Sequence, residues 1–374
     1  MGKKTEFLYL SEPDMIKAGV LDSAHCVDVL DEMFKLLSRG DYVMGGPNGN
    51  EHGIRIFFPK EPQFPGIPAD GPDRRFMAMV AYLGGRFHIA GEKWYGSNIE
   101  NPKHGLPRSV LMAMLNDVET GEPIALMSAN LLSAVRTGSV PGVGVRYLAR
   151  KSSQVCGIIG AGPINRACLQ GIIAEAKNLK KIGVSDINDA NANKFIEWAT
   201  STYKLEAVKC KSTEEAVRMS DIISVAASSL GNLVIKNEWL QKGSTMLMTG
   251  DAKLDNEYMT SAKIVFDNPK MFQAYLDDAH RSVRGVEAAL DLTIAGCMLK
   301  LIDNGTLPPL SKAVGIGDIA DGKQAGRTND DDRYLFQTSG MPVDDVAWGF
   351  EIYNQAKKMG LGQTLKVWDS PYWS

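Results

Sequence analysis

An apolar run that ends in glycines, CGIIGAGPIN at residues 156–165, is the clearest chemical feature of this sequence. Gly160 and Gly162 follow a predicted strand and open a predicted helix. The first glycine permits a tight turn, and the second lets the backbone approach a pyrophosphate at the helix N-terminus. The third position of the usual G-x-G-x-x-G pattern is Asn165, so the pattern is incomplete. The stretch still predicts a dinucleotide-binding loop.

An acidic residue at the end of the next predicted strand supports this interpretation. Asp186 closes the apolar strand KKIGVSDI, about 20 residues beyond the glycines, where an acid accepts hydrogen bonds from the ribose hydroxyls of a dinucleotide. Its negative charge would repel a 2′-phosphate, so the sequence favours NAD over NADP. The alternative is a surface aspartate that starts the turn SDIND.

Two cations in the first part of the chain could bind an anionic substrate. Lys93 lies in GEKWYGSN, among aromatic and small residues, and Arg55 lies inside the apolar strand GIRIFFP. Because a buried, unmatched charge is costly, cations among apolar strand residues are expected to have partners. Aimed into one cleft, the two would hold a carboxylate, the arginine as a fork and the lysine as a point charge. Alternatively, Arg55 points to solvent and Lys93 reaches it from a sheet edge.

Further basic and hydroxyl groups precede the glycine loop, in AVRTGSVPGVGVRYLAR. Arg136 and Thr137 are predicted to precede a helix, and a helix N-terminus with these side chains would bind a phosphate. The alternative is that Thr137 caps the helix beside an exposed Arg136.

The elements that must position these residues differ between the two halves of the chain. From residue 154 onward, strands alternate with helices. The predicted strands are QVCGIIG, KKIGVSDI, LEAVKC, DIISVAAS, GSTMLMTG and AKIVFDN, and the helices between the first four are INRACLQGIIAEA, DANANKFIEWATSTY and STEEAVRMS. This alternation predicts a parallel, doubly wound sheet. The apolar stretch GVEAALDLTIAGCMLKLIDNG then predicts one long helix that ends at Gly305.

The first 135 residues predict an antiparallel α+β domain instead. SEPDMIKAGVLDSAHCVDVLDEMFKLLSRGD predicts a helix that ends near Gly40. Short β-rich runs follow, and DVETGEP predicts the turn of a hairpin. Residues 60–73, rich in Pro and Gly, predict a loop. Near the C-terminus, DDVAWGFEIYNQAKKMG predicts a helix that packs back on this first domain.

Composition and charge exclude several classes of protein. A chain of 374 residues with 44% hydrophobic and 23% charged residues has room for two buried cores. The formal charge of −3, without a long Lys/Arg cluster, argues against nucleic acid as a partner. We expect no membrane span and no secretory signal, because no apolar segment is long enough and MGKK is followed by no apolar region. The five cysteines and five histidines are scattered, which favours a reducing cytoplasm without disulfides or a metal.

Several segments, taken in order, resemble the ornithine cyclodeaminase/μ-crystallin family from about residue 50 to about residue 350; they are GEKWYGSN, GLPRSVLMAMLNDVETGEPIALMSANLLSAVRTG, YLAR and GIIGAG. The resemblance implies an N-terminal domain that binds an amino or imino acid and forms a homodimer. We therefore expect a substrate-binding and dimerisation domain over residues 1–135, completed by residues 320–374. An NAD-binding Rossmann-type domain is expected over residues 136–319. The predicted fold class is α/β, with a doubly wound parallel sheet plus an α+β domain.

The resemblance also implies roles for single residues. Lys93 matches the family's substrate lysine, and Arg55 matches the arginine that grips the substrate carboxylate. Asp251, in MTGDAKLD, matches the acid beside the substrate amine. The C-terminal end of a strand is where ligands bind in such sheets, so the position suits this role. The alternative is that Asp251 is an ordinary turn residue. The predicted catalytic residues are then Asp251 and Lys93, and the predicted cofactor-binding residues are Arg136, Thr137, Gly160, Gly162, Pro163, Ile164 and Asp186.

The sequence departs from the ornithine-specific members of that family in three places. The family's MPAY is MVAY here, the loop 60–73 is longer, and Met77 stands where those members have an acid. RRFMAMVAYLGG with GEKWYGSN is more similar to a branch that contains N-substituted amino acid dehydrogenases, and to proteins that carry the name of a tyramine oxidase component. These departures argue against ornithine as the substrate.

We therefore predict a cytoplasmic, NAD-dependent oxidoreductase that acts on the Cα–N bond of an amino acid or N-substituted amino acid. Two alternatives stay open. The first is a cyclodeaminase-like lyase, in which hydride returns to the substrate and NAD shows no net turnover. The second is a μ-crystallin-like protein that binds a small molecule without chemistry. Accumulation of NADH distinguishes the dehydrogenase from both.

Overall fold

The computed structural model describes residues 3–71, 73–227 and 233–373. Up to residue 148 its elements are β1 (Thr5–Leu10), α1 (Glu12–Lys17), α2 (Ser23–Arg39), β2 (Tyr42–Met44), β3 (Ile54–Phe57), β4 (Arg75–Leu83), β5 (Ile89–Ser97), β6 (Ser109–Asp117), β7 (Pro123–Ser128) and α3 (Asn130–Leu148). Among the helices of these described ranges, none has the length and apolar composition needed to cross a membrane.

The remaining elements alternate between strand and helix as far as β11. They are β8 (Val155–Ile159), α4 (Pro163–Glu175), β9 (Lys181–Ser185), α5 (Asp189–Tyr203), β10 (Glu206–Lys209), α6 (Thr213–Arg218), β11 (Ile222–Val225), β12 (Val234–Ile235), β13 (Thr245–Met248), β14 (Lys253–Leu254), α7 (Asn256–Ser261), β15 (Lys263–Phe266), α8 (Pro269–Arg281), α9 (Val286–Leu290), α10 (Gly296–Asp303), β16 (Val314–Gly315), α11 (Ile316–Ala320), β17 (Tyr334–Gln337), α12 (Pro342–Lys358) and β18 (Gln363–Trp368). Ser228, the last residue of the predicted strand DIISVAAS, lies outside the described residues.

The chain divides into two compact units, of which the first comprises Met1–Asp22, Arg39–Arg136 and Met341–Ser374. Its sheet has the order β18-β1-β7-β6-β5-β4-β2, and β3 also pairs with β4. The neighbours are antiparallel except for β1 and β7, which run parallel. The predicted hairpin at DVETGEP joins β6 to β7. Because α12 packs against β4 and β5, and β18 pairs with β1, the C-terminal segment belongs to this unit.

The second unit comprises Ser23–Ser38 and Thr137–Gly340. Its main sheet has the order β10-β9-β8-β11-β13-β17-β15-β16, and every pair of neighbours in it is parallel. The strands are short and apolar, and β11, β13 and β17 are buried along their whole length. This burial explains why they lack the alternation of polar and apolar residues that a half-exposed strand shows.

The unit boundaries differ from the expected domain boundaries in two places. Residues 320–340 group with the second unit, because β17 is inserted between β13 and β15 of its sheet. Residues 23–38, in α2, also group with the second unit although they lie early in the chain. Long-range strand insertion and helix docking of this kind leave no local signal in the sequence.

Two predicted helices are interrupted, so these predictions are wrong in length. The first is split into α1 and α2, and the chain turns at Gly19, whose φ of +93° lies in the left-handed region. The second is split into α9 and α10, with Ala295 at a φ of +58° between them. A Cβ on Gly296 would lie 1.8 Å from the carbonyl oxygen of Leu290, so the chain folds back too tightly there for a continuous helix.

The predicted helix start at Arg136 and Thr137 is also wrong. Both residues lie inside α3, which begins at Asn130, so neither stands at a helix N-terminus. Two glycines of α3 serve close packing. A Cβ on Gly138 would lie 2.1 Å from the carbonyl carbon of Ala167, and one on Gly142 would lie 2.7 Å from the carbonyl oxygen of Gly171. The chain therefore uses glycine where α3 and α4 touch.

Candidate functional site

The predicted glycine loop forms a tight turn between β8 and α4. Gly160 has a φ of +87°, and a Cβ there would lie 2.9 Å from Cα of Ala227. Gly162 is the N-cap of α4, and a Cβ added to it would meet no atom within 4 Å. Gly160 is thus required by the turn, whereas Gly162 borders open space at the helix N-terminus. The first N–H groups of α4 lie next to that space, and helix N-termini of this kind are the positions at which phosphates bind.

Asn165 replaces the third glycine of the pattern and supplies hydrogen bonds instead of close backbone contact. It is fully buried, and its Nδ2 donates to the carbonyl oxygens of Ile159 and Gly160 at 3.0 and 2.7 Å. Its Oδ1 accepts from Oγ of Ser224, in β11, at 2.6 Å. The side chain therefore ties the first turn of α4 to β8 and β11. This explains how the incomplete pattern still holds its loop.

Asp186 lies directly beside the glycine loop. Its Oδ2 accepts a hydrogen bond from the backbone N–H of Ala161 at 2.6 Å, and its Oδ1 accepts from Asn188 N–H at 2.7 Å. The carboxylate therefore lies at the end of β9 and in contact with the loop, where an acid can also accept from ribose hydroxyls. Pro163 and Ile164, which were predicted with the loop, occupy the exposed first turn of α4.

Asp251 follows β13 at the same edge of the parallel sheet as the glycine loop. Ala227, just after β11, lies between them, because a Cβ on Gly160 or on Gly250 would come within 3 Å of its backbone. Burial raises the pKa of the Asp251 carboxyl above its ordinary value, and the backbone N–H groups of Ala252 and Ala295 act in the opposite direction. The structure thus brings Asp251 and the predicted cofactor loop to the carboxyl ends of nearby strands.

Lys93 is the centre of a buried polar cluster in the first unit. The side chain is only 2% exposed, and Nζ donates to Oδ2 of Asp345 at 2.8 Å and to Oγ of Ser133 at 3.0 Å. Burial, together with the positive charge of Arg136, lowers the pKa of Lys93 to about 8, although Asp345 and Asp344 act in the opposite direction. The ammonium group has three N–H donors, and two of them have hydrogen-bond partners among the residues that the structure describes.

Arg136 belongs to the same cluster. Its Nε donates to Oδ1 of Asp345 at 2.9 Å, and its Nη1 donates to Oδ2 of Asp344 at 3.1 Å. Two buried cations thus face two buried carboxylates, which balances the charge of the cluster formed by Lys93, Arg136, Asp344 and Asp345. A guanidinium has five N–H donors, so Arg136 keeps donors for a further anion. The alternative of an exposed Arg136 is wrong.

Arg55 is exposed, although the apolar residues around it in the sequence suggested that it would be buried. The whole of β3 is exposed, including Ile54 and Phe57. The register nevertheless places Arg55 opposite Met77, which in turn lies opposite Tyr95. Because directly opposed residues share a face and alternate residues of a strand also share it, Arg55 and Lys93 lie on the same face of the first sheet. This is the face on which Asp345 meets Lys93.

The acidic partners of Lys93 and Arg136 were missed in the sequence. Asp344 and Asp345 occur next to each other in an otherwise apolar helical stretch, MPVDDVAWGF, and both are buried. Adjacent acids within an otherwise apolar stretch indicate cationic partners, because a buried carboxylate is unfavourable without a compensating charge. That pattern could have identified them as site residues, although not which cations they meet.

Comparison with known families finds a match over most of the chain. The model of the ornithine cyclodeaminase/mu-crystallin family matches residues 20–360. Among characterised proteins, the chain is similar to the N-((2S)-2-amino-2-carboxyethyl)-L-glutamate dehydrogenase of Staphylococcus aureus, at 27% identity over 97% of this chain and 99% of that protein. It is also similar to the alanine dehydrogenase of Archaeoglobus fulgidus, at 29% identity over 77% of this chain and 83% of that protein.

A solved structure extends the similarity to the fold. The Delta(1)-pyrroline-2-carboxylate reductase of Thermococcus litoralis, in complex with NADH and L-proline, superposes with a TM-score of 0.78 at 26% identity. The match covers 96% of this chain and all of that one. The predicted two-domain α/β fold class is therefore confirmed.

Proposed function

This chain belongs to the ornithine cyclodeaminase/mu-crystallin family, and from that premise we propose that it is an NAD-dependent oxidoreductase acting on the Cα–N bond of an amino acid or N-substituted amino acid. The similar proteins are dehydrogenases and a reductase of amino and imino acids, which confirms the predictions of an enzyme, of this reaction class and of NAD as cofactor. When bound, NAD accepts a hydride from the substrate carbon.

The observation that supports this function most strongly is the group of residues at the carboxyl ends of the parallel strands. Gly160, Ala227 and Asp251 follow three neighbouring strands there, β8, β11 and β13. Ligands of open α/β sheets bind outside the carboxyl ends of the strands. A nucleotide-binding loop and a carboxylate with a raised pKa at one such edge suit a reaction in which a cofactor takes hydride and a protein group takes a proton.

The residues of the two units would have different tasks. Lys93 and Arg55 would bind the substrate carboxylate, since both lie on one face of the first sheet and Lys93 keeps one N–H donor. Asp251 would accept the proton of the substrate amine as the imine forms. Gly162 and Asp186 would hold the pyrophosphate and the ribose, and Arg136 and Thr137 are proposed to contact the cofactor phosphates.

Substitutions at Lys93 and Asp251 test these roles. Lys93→Met removes a charge-assisted hydrogen bond worth about 1.5–3 kcal/mol, so KM for the substrate is expected to rise at least about tenfold. Asp251→Asn keeps the shape but removes the base, so kcat is expected to fall about 10²–10⁴-fold with KM little changed. Steady-state kinetics and NADH titration on both variants measure the two effects separately.

The matched control is Asp303→Asn, which alters an aspartate of the same unit that pairs with His280 at the surface. Its kinetics should equal those of the unmodified protein. Full turnover by Asp251→Asn would show that Asp251 is a turn residue and not the base. Equal loss of NADH binding in both site variants would show that they act on folding rather than on substrate.

We also propose that the protein is a cytoplasmic homodimer that associates through the outer face of the first sheet. That face is formed by the even-numbered residues of β4, β5 and β6, and Trp94 stacks on Phe76 there with ring centroids 5.8 Å apart. Its large exposed apolar side chains include Phe76, Val80, Trp94 and Val110, and Val43 of β2 joins them because it lies opposite Tyr82. An apolar face of this kind marks an interaction surface, and a second copy of the chain is the partner that the family resemblance implies.

A further inference from the structure

The inner face of the first sheet continues beyond Lys93 to another cation. In the register of β4 and β5, Met79 lies opposite Lys93, Met77 opposite Tyr95, and Arg75 opposite Ser97. Because opposed residues share a face, all six side chains belong to the face on which Lys93 meets Asp345. Neighbouring rows on one face of a strand are about 7 Å apart. Tyr95 is therefore one row from Lys93, and Arg75 is in the next row.

The ring of Tyr95 lies between the two cations. Its centroid is 5.8 Å from Nζ of Lys93 and also 5.8 Å from Cζ of Arg75. The hydroxyl of Tyr95 donates to Sδ of Met77 at 3.0 Å, which fixes the ring beside an apolar side chain. Met77 is fully buried and Tyr95 is partly exposed, so the accessible surface between the two charges is the aromatic ring, which suits a short carbon chain rather than a charged one.

The charges around Arg75 leave a positive excess. Arg75 and Arg108 both contact Asp73, whose side chain is only 7% exposed, so two guanidinium groups share one carboxylate. Nε of Arg75 is buried and has no hydrogen-bond partner among the residues that the structure describes. A buried N–H donor without a partner is unfavourable, and an arginine fork is suited to a carboxylate. The cluster of Arg75, Arg108 and Asp73 therefore suits an anionic group of the ligand, in addition to the carboxylate proposed to bind Lys93.

We propose that Arg75 binds a second carboxylate of the substrate, so that the substrate is an amino acid whose side chain or N-substituent ends in a carboxylate. The inference rests on the proposed function, in which Lys93 binds the first carboxylate. The carbon chain between the two groups would lie along the ring of Tyr95. A substrate with a cationic side chain is disfavoured, because Arg75 repels it and Met77 offers no acid.

Binding of substrate analogues tests the site without requiring turnover. Glutarate carries two carboxylates, and glutaramate is its monoamide of nearly the same shape. Calorimetric titration of the NADH-bound protein is expected to show glutarate binding at least about tenfold more tightly, as a charge-assisted hydrogen bond implies. Arg75→Gln should abolish this preference by weakening glutarate alone. Equal affinity of the unmodified protein for the two compounds would overturn the proposal.

The matched control is Arg108→Gln, which removes the other guanidinium that contacts Asp73. Arg108→Gln should keep the preference for glutarate. Arg75→Lys should show part of the preference that Arg75→Gln loses. If Arg75→Gln and Arg108→Gln abolish the preference equally, with the same loss of thermal stability, then Arg75 only holds Asp73 and the proposal fails.

Steady-state kinetics then show whether the second carboxylate of the substrate is on its side chain or on its N-substituent. L-2-Aminoadipate carries it on the side chain, and N-(carboxymethyl)-L-alanine carries it on the nitrogen. The preferred compound should show a KM that rises at least about tenfold in Arg75→Gln with little change in kcat. If glutarate binds as expected but no amino acid is oxidised, the second-carboxylate site stands and the proposed function fails.

Discussion

Lys93 combines two properties that bear on its proposed role in substrate binding. It is buried and already donates to Asp345 and Ser133, so the protein positions its ammonium group before any ligand arrives. Burial and Arg136 lower its pKa to about 8, so the charge is kept at neutral pH but is lost at moderately alkaline pH. A residue held in this way costs little reorganisation when a carboxylate takes its remaining N–H donor.

Asp186 is the residue that we propose selects between the two dinucleotides. Its carboxylate accepts from Ala161 N–H and lies where ribose hydroxyls approach, so it should repel a 2′-phosphate. We expect the unmodified protein to bind NADH more tightly than NADPH, and Asp186→Ser to reduce the ratio of the two affinities at least about tenfold. Fluorescence titration with both nucleotides measures the ratio.

The control for this change is Asp189→Ser, since Asp189 lies three residues further on and its side chain is 80% exposed. It should leave the ratio unchanged. A preference of the unmodified protein for NADPH would show that Asp186 does not select the cofactor.

At the scale of elements, the sequence predicted what depends on local pattern. The apolar runs of β8, β9 and β11 and the helices between them were identified because each element is short and bounded by polar residues or glycine. The hairpin between β6 and β7 was identified from its turn residues. These features need no information from distant parts of the chain.

The errors occurred where distant contacts decide the structure. The start of α3 was predicted after Thr137 instead of at Asn130, and the sequence does not show that the glycines of this helix pack against α4. The apolar run of α9 and α10 suggested one helix because the tight approach of Gly296 to Leu290 is a tertiary contact. The ion pair between Lys93 and Asp345 joins residues 252 positions apart, so no local pattern could reveal it.

For the whole molecule, the outer face of the first sheet predicts association. Light scattering at micromolar concentration is expected to give twice the 40.7 kDa mass of one chain. Val80→Glu, which places a charge on that exposed face, should shift the protein towards the monomer because the charge would be buried in the interface.

The control is Val234→Glu, an exposed valine of comparable accessibility in the second unit, which should leave the mass unchanged. A single 40.7 kDa species in the unmodified protein would contradict dimerisation through this face.

The most direct test of the proposed reaction follows the hydrogen on the substrate carbon. The amino acid that gives the lowest KM is prepared with deuterium at Cα and incubated with the protein and NAD, and the reduced nucleotide is analysed by mass spectrometry. The account predicts NADH that carries one deuterium and accumulates in equal amount to the oxidised product. Release of ammonia with no accumulation of NADH, and with deuterium kept in the product, would contradict it and identify a lyase.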